Sequence, residues 1–173
     1  MNAAPRIVTV GETFSSTLEL SAESVKSFAT LVNDLNPLHH DDAYAAQSRF
    51  GGLIASGTQP TAHFMALLAT HFSTYAQPLG LEFDIKLKKA VHASDTLTIT
   101  WRVRDAYWKP SLNGDLTHLE GSVVNQRGDI MLIGTSTILV MPKPEASANS
   151  GADINVDTSV DTSADTNADT GAP

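Results

Sequence analysis

The stretch from Pro60 to about Tyr75 carries Ala62, Phe64, Met65, Ala66, Leu67, Leu68, Ala69, Phe72 and Tyr75, so a helix drawn through it is apolar on nearly every side. A surface helix buries one stripe; a helix of this kind needs cover all round, as a sheet packed against it would give. Beyond Tyr75 the chain is strand-like. Phe83, Ile85 and Leu87 alternate with Asp84, Lys86 and Lys88, and Leu97, Ile99, Trp101 and Val103 with Thr98, Thr100 and Arg102, the period of half-buried strands. Leu116 to Asn125 and Ile130 to Met141 predict two more, joined by the Gln126-Arg127-Gly128-Asp129 turn. Ile7 to Val10 and Phe14 to Leu20 predict strands near the front. Strands, then helices, then a run of strands is the α+β pattern of an antiparallel sheet with helices on one face. The 173 residues suffice for one domain and one core.

Ahead of the central helix, Ser21 suits an N-cap and Glu23 the first turn, while Val25, Phe28, Ala29 and Val32 share one helical face. A helix from Ala22 to Asn33 is expected. Pro37 disfavours helical geometry at Asn36, so the chain turns there. Asp34 then sits at a helix C-terminus, where the macrodipole disfavours a carboxylate. It either hydrogen-bonds into the Asn36-Pro37 turn or does chemistry. The turn holds Asp34 and His39 five residues apart, close enough to share one water as an acid–base pair. Asp41 can cap a short second helix through Tyr44 and Ala46, ending before Gly51-Gly52.

Composition excludes several classes. No apolar run approaches the roughly 20 residues of a membrane span, and the N-terminus lacks the apolar stretch and cleavage site of a secretory signal. With no cysteine there is no disulfide framework or thiolate chemistry, which fits a cytoplasmic protein. The net charge is −8. From Lys143 onward Glu145, Asp153, Asp157, Asp161, Asp165 and Asp169 face that one lysine, so the tail carries −5 of this and the body −3. A nucleic-acid partner is not expected. The Asp-Thr repeat of the tail, Pro142 to Pro173, lacks the bulk to offset its ordering entropy, and disorder is expected there. The tail also lacks the glycine turn and terminal Glu of a calcium loop.

The run Asp34-Leu-Asn36-Pro37-Leu-His39-His-Asp41, with Ala43, Ala46, Phe50-Gly51-Gly52 and Ser56-Gly57 after it, resembles the MaoC-like dehydratases, which include the R-specific enoyl-CoA hydratases. The resemblance runs from about Gly11 to Val140 and is strongest through Gly57. It implies a single hot-dog fold over residues 1–141, a curved antiparallel sheet wrapped around a long central helix. It further implies reversible addition of water to a 2-enoyl thioester, acyl-CoA ahead of an acyl-carrier-protein thioester, with R configuration at the 3-hydroxyl. Asp34 and His39 become the pair that activates water and moves the proton, in an order the sequence leaves open. Gly57, with Ser56 before it, becomes the amide that meets the thioester oxygen at the helix N-terminus. Asn36 and Pro37 brace the turn and Asp41 caps the next helix. Two departures stand out: Asn33 occupies a place where Gly or Glu is common, and Ser56 one where His is common. Thr58-Gln59-Pro60 departs from the usual Met and small apolar residues, which bears on the acyl pocket.

Other polar residues have plainer readings. His40 reads as a surface residue, and His63 and His71, eight apart with no third ligand in step, as core or interface histidines rather than a metal site. Lys86, Lys88 and Lys89 read as a solvated strand face, with contact to coenzyme A phosphates as the alternative. Gly51-Gly52 lacks the strand and third glycine of a phosphate-binding fingerprint, so no cofactor is implied beyond coenzyme A as part of the substrate. Two other functions fit the fold: a hot-dog thioesterase, which has no need of the turn-mounted pair, and a non-catalytic acyl-binding module, which could dispense with it. Exposed sheet edges predict a homodimer or higher homo-oligomer.

Overall fold

The computed structural model describes residues 6–144, so the acidic tail expected to be disordered lies, from residue 145 on, outside the described residues. Five strands form one antiparallel sheet in the order β1-β3-β4-β5-β2. They are β1 (Thr13–Glu19), β2 (Gln77–Leu87), β3 (Thr96–Lys109), β4 (Gly114–Asn125) and β5 (Ile130–Met141). Between β1 and β2 come α1 (Ala22–Leu31), α2 (Asp42–Gln47) and α3 (Thr58–Ser73). This is the hot-dog arrangement: α3 is the long helix and the sheet packs against it.

The strand period sorts the two faces as the alternation predicts. Leu97, Ile99, Trp101 and Val103 point inward and are at most 1% exposed, while Thr98 and Arg102 are exposed. Phe64, Leu68 and Phe72 of α3 meet them, and each fully buried side chain of this size contributes roughly 1.5–3 kcal/mol. Trp101 stacks on Phe64 with ring centroids 4.0 Å apart, and its Nε1 donates to the Phe64 carbonyl at 2.8 Å. Gly121 and Gly134 make room for this pair. A Cβ on Gly121 would lie 2.6 Å from Trp101 Cδ2, and one on Gly134 2.9 Å from Phe64 Cε1.

Three expectations are corrected. Ile7 to Val10 is not a strand; its amides are taken by a side chain, since Asp115 Oδ2 accepts from Ile7 N at 2.7 Å and Val8 N at 2.9 Å. The central helix is not covered all round: one stripe is buried, and Ala62, Ala66 and Ala69 are exposed. Small side chains made the helix look apolar on every side without needing cover. Val32 is not on the buried face of α1 but caps its C-terminus, 43% exposed, because the helix stops at Leu31.

Candidate active site

The end of α1 aims the site. Asn33 takes a left-handed φ of 57°, its N–H bonds the Thr30 carbonyl at 3.1 Å, and the Asp34 N–H reaches back to the Ala29 carbonyl at 2.8 Å. This is a Schellman ending with Asn where glycine is usual. The residue that looked out of place before Asp34 is one of the few that tolerate the required conformation. Asp34 Oδ1 then accepts from Asn36 N at 3.3 Å, and Asn36 Oδ1 from Leu38 N at 3.1 Å, capping a 3₁₀ turn over Pro37–His39. Asp41 Oδ1 caps α2 through Tyr44 N at 3.0 Å. Asn36 and Pro37 thus lie at the start of this turn, and Asp41 at the N-terminus of α2.

That turn brings the two candidate catalytic side chains together, with His39 Nε2 3.3 Å from Asp34 Oδ2. His39 is buried, at 6% exposure, and its Nδ1 lies 2.8 Å from the Ile54 carbonyl. A carbonyl only accepts, so Nδ1 carries a proton, and in the neutral ring Nε2 presents its lone pair toward Asp34. Asp34 is held below its ordinary value of 3.8, first by the Ser56 hydroxyl and then by the Asn36 amide, against partial burial, with the charged forms of His39 and His40 adding to the lowering. The short hydrogen bond of Ser56 is to Thr58 Oγ1, at 2.7 Å, so we read its hold on Asp34 as that of a nearby dipole. His40 is not a plain surface residue: half-buried, it lies with Nε2 2.7 Å from the Asp34 carbonyl and donates to it.

Gly57 precedes α3 with no side-chain cap on the helix, and its N–H has no partner among the described residues. A groove of about 300 Å³ runs over it. His39, Ile54, Ala55, Gly57, Pro60 and Leu87 line the groove, with Ala90, Val91, Arg49, Phe50, Lys88 and Lys89 completing it; Asp34 does not, and its side chain is 32% exposed. Ser56 is 1% exposed and is also outside the lining. Leu87 leans on Gly57, its Cδ1 only 2.7 Å from where a Cβ would stand. Sequence reasoning missed the Ile54 carbonyl, Leu87, Arg49 and Phe50. A backbone carbonyl has no signature in a sequence, and the groove wall comes from segments far apart along the chain.

A family model described as the MaoC like domain matches residues 7–120. A 3-hydroxyacyl-[acyl-carrier-protein] dehydratase, mitochondrial, of Arabidopsis thaliana is 29% identical over 70 residues, which cover 40% of this chain and 42% of that protein. The match thus spans less than half the length of that curated relative. Among solved structures, an R-hydratase from Pseudomonas aeruginosa in the unliganded form superposes with a TM-score of 0.68 at 25% identity, covering 79% of this chain and 84% of that one. A MaoC-like dehydratase from Rhodospirillum rubrum superposes with a TM-score of 0.67 at 25% identity, covering 80% and 96%.

Proposed function

The chain belongs to the MaoC-like domain family, and on that premise we propose that it is a hydro-lyase, adding water reversibly to a 2-enoyl-CoA to give the (R)-3-hydroxyacyl-CoA. The observation that carries the reading is the His39–Asp34 pair, 3.3 Å apart, with the Nδ1 proton of His39 committed to Ile54. Two acceptors face one another, and a water that donates one hydrogen to each turns a lone pair outward. That lone pair forms the C3–O bond while the C2=C3 electrons move onto the thioester oxygen. The proton released is taken up by the pair and returned to C2. The unpartnered N–H of Gly57 stabilises the enolate oxygen, an interaction typically worth about 10²–10³ in rate. No cofactor enters beyond the coenzyme A of the substrate. The R configuration is supported by the R-hydratase likeness.

We also propose that the protein is a homodimer, formed at the β2 edge, where Leu79 and Leu81 are about half exposed. An exposed apolar edge of this kind favours pairing. No described helix is long and apolar enough to cross a membrane, and the cysteine-free composition suits a reducing cytoplasm.

The test is loss of enoyl absorbance with crotonyl-CoA and longer or branched 2-enoyl-CoAs. Wild type should turn over, and Asp34→Asn and His39→Ala should each lose about 10²-fold or more. Release of free coenzyme A from saturated thioesters, with no hydration, would make it a thioesterase instead. Silence in both assays would leave a binding module.

A further inference from the structure

Three lysines stand close together in the run Lys86-Leu87-Lys88-Lys89, and the structure separates them. Lys86 Nζ lies 3.7 Å from Asp84 Oδ2, and both line a depression on the outer face of the sheet, away from His39. Lys89 Nζ is neutralised by Asp129 Oδ1 at 2.6 Å. Lys88 has no ion pair among the described residues, its backbone N–H is fixed to the Met131 carbonyl at 2.8 Å, and it lines the groove that holds His39 and Gly57.

Arg49 lines the same groove. Its guanidinium carbon sits 4.9 Å from the ring centroid of Phe50, and it has no ion pair among the described residues. Stacking on an aromatic ring holds the guanidinium while leaving its N–H edges free. Two unneutralised cations therefore open into one apolar-walled groove beside the proposed reacting groups, in a protein whose net charge is −8. Like charges gathered in one groove are favourable only when an anion joins them, and cations in a cleft raise the local concentration of such a ligand.

We propose that Arg49 and Lys88 bind the nucleotide phosphates of coenzyme A, and that the substrate carrier is coenzyme A rather than a carrier protein. The proposal rests on the hydratase reading for the thioester end and adds where the other end docks. Coenzyme A brings a diphosphate and a 3′-phosphate on a slender arm that a groove can admit. A carrier protein brings a single phosphodiester on a broad surface, and would meet the surface lysines around the groove. Here Lys86 and Lys89 already answer to Asp84 and Asp129.

Calorimetry on the full chain tests this without relying on turnover. Coenzyme A should bind, and pantetheine, which lacks the phosphates, should bind at least tenfold more weakly. Arg49→Gln and Lys88→Gln should each weaken coenzyme A by about tenfold, the scale of one charge-assisted contact, and leave pantetheine binding unchanged. Lys86→Gln, on the other face, should leave coenzyme A binding unchanged. Equal affinity of wild type, Arg49→Gln and Lys88→Gln for coenzyme A would overturn the proposal whatever the hydration assay shows. So would equal binding of coenzyme A and pantetheine, or faster hydration of a crotonyl carrier protein than of crotonyl-CoA. If coenzyme A binding follows the expected pattern but no enoyl thioester is hydrated, the phosphate site stands and the hydratase reading fails.

Discussion

When its ring is neutral, His39 faces Asp34 acceptor to acceptor: with Nδ1 donating to Ile54 at 2.8 Å, the Nε2 lone pair points at a carboxylate oxygen 3.3 Å away. Such an arrangement is favourable only with a proton or a donating molecule between the two. The Ile54 carbonyl therefore does more than hold the ring, since it selects the tautomer that leaves Nε2 available.

The Asp34 carboxyl should titrate below the usual range, and its surroundings set the sign. The Ser56 hydroxyl, then the Asn36 amide, lower it from 3.8, burial opposes them, and His39 and His40 add to the lowering in their charged forms. A depressed carboxyl stabilises the fold above its unfolded value, and that contribution is lost as pH falls through the folded value. Ser56→Ala removes the largest lowering influence. The acid limb of kcat/KM for crotonyl-CoA should therefore move to higher pH in this variant. An unmoved limb would show that Ser56 does not act on Asp34.

A second titration lies at the far end of α3. His71 Nε2 is 2.7 Å from Glu12 Oε1, the His71 ring stacks on Phe14 at 3.7 Å, and the Tyr75 hydroxyl donates to Glu12 Oε2 at 3.4 Å. Burial first, then the Glu12 charge and hydrogen bond, push Tyr75 from 10.0 up to about 12. Above its ordinary value the unfolded chain loses this proton before the folded one, so stability should fall as pH rises from 10 to about 12. Phenolate absorbance should reveal one late-titrating tyrosine, and Glu12→Gln should bring its midpoint down. If Glu12→Gln leaves all tyrosine midpoints in place, the coupling to Glu12 is absent.

These groups show what was legible in the sequence. Ile130–Met141 and the Ser21 cap could be read off local pattern, because alternation and capping are decided by neighbours a few residues apart. Strands β2 and β3 run longer than their alternation, to Gln77 and Lys109, since pairing with β5 and β4 continues past a bulge in each, where the pattern slips out of phase. The Asp34–His39 pair was visible through its turn. The Glu12–His71 contact and the groove cation Arg49 were not, because each depends on segments brought together only by folding; Lys88 was visible only as the alternative reading of a solvated strand face.

Gly121 should tolerate no side chain. A Cβ there would stand 2.6 Å from Trp101 Cδ2 and 2.7 Å from the Thr100 carbonyl, and the second of these is backbone that cannot swing away. Overpacking of this kind typically costs about 1–3 kcal/mol. Gly121→Ala should lower the thermal midpoint. Full stability of Gly121→Ala would mean that the Trp101–Phe64 stack is looser than its 4.0 Å spacing implies.

Asp115 is the remaining point where one side chain does the work of a strand. It is fully buried, at the start of β4, and its Oδ2 holds the amides of Ile7 and Val8 across more than a hundred residues. Val8 itself is 2% exposed, so removing the carboxylate leaves donors in the interior that water reaches poorly. Unsatisfied buried donors cost roughly 1–3 kcal/mol each, and Asp115→Ala should lose roughly 2–5 kcal/mol in all. For a domain of this size that lowers the thermal midpoint by roughly 5–15 °C. Asp115→Asn keeps an oxygen to receive both amides, and Oδ1 has no partner in the native contacts, so it should lose less. The comparison separates the two contributions to the Ala loss. If Asn is as damaging as Ala, the negative charge is what anchors the segment. If Ala is harmless, the amides find other partners and the N-terminal segment is not held by Asp115.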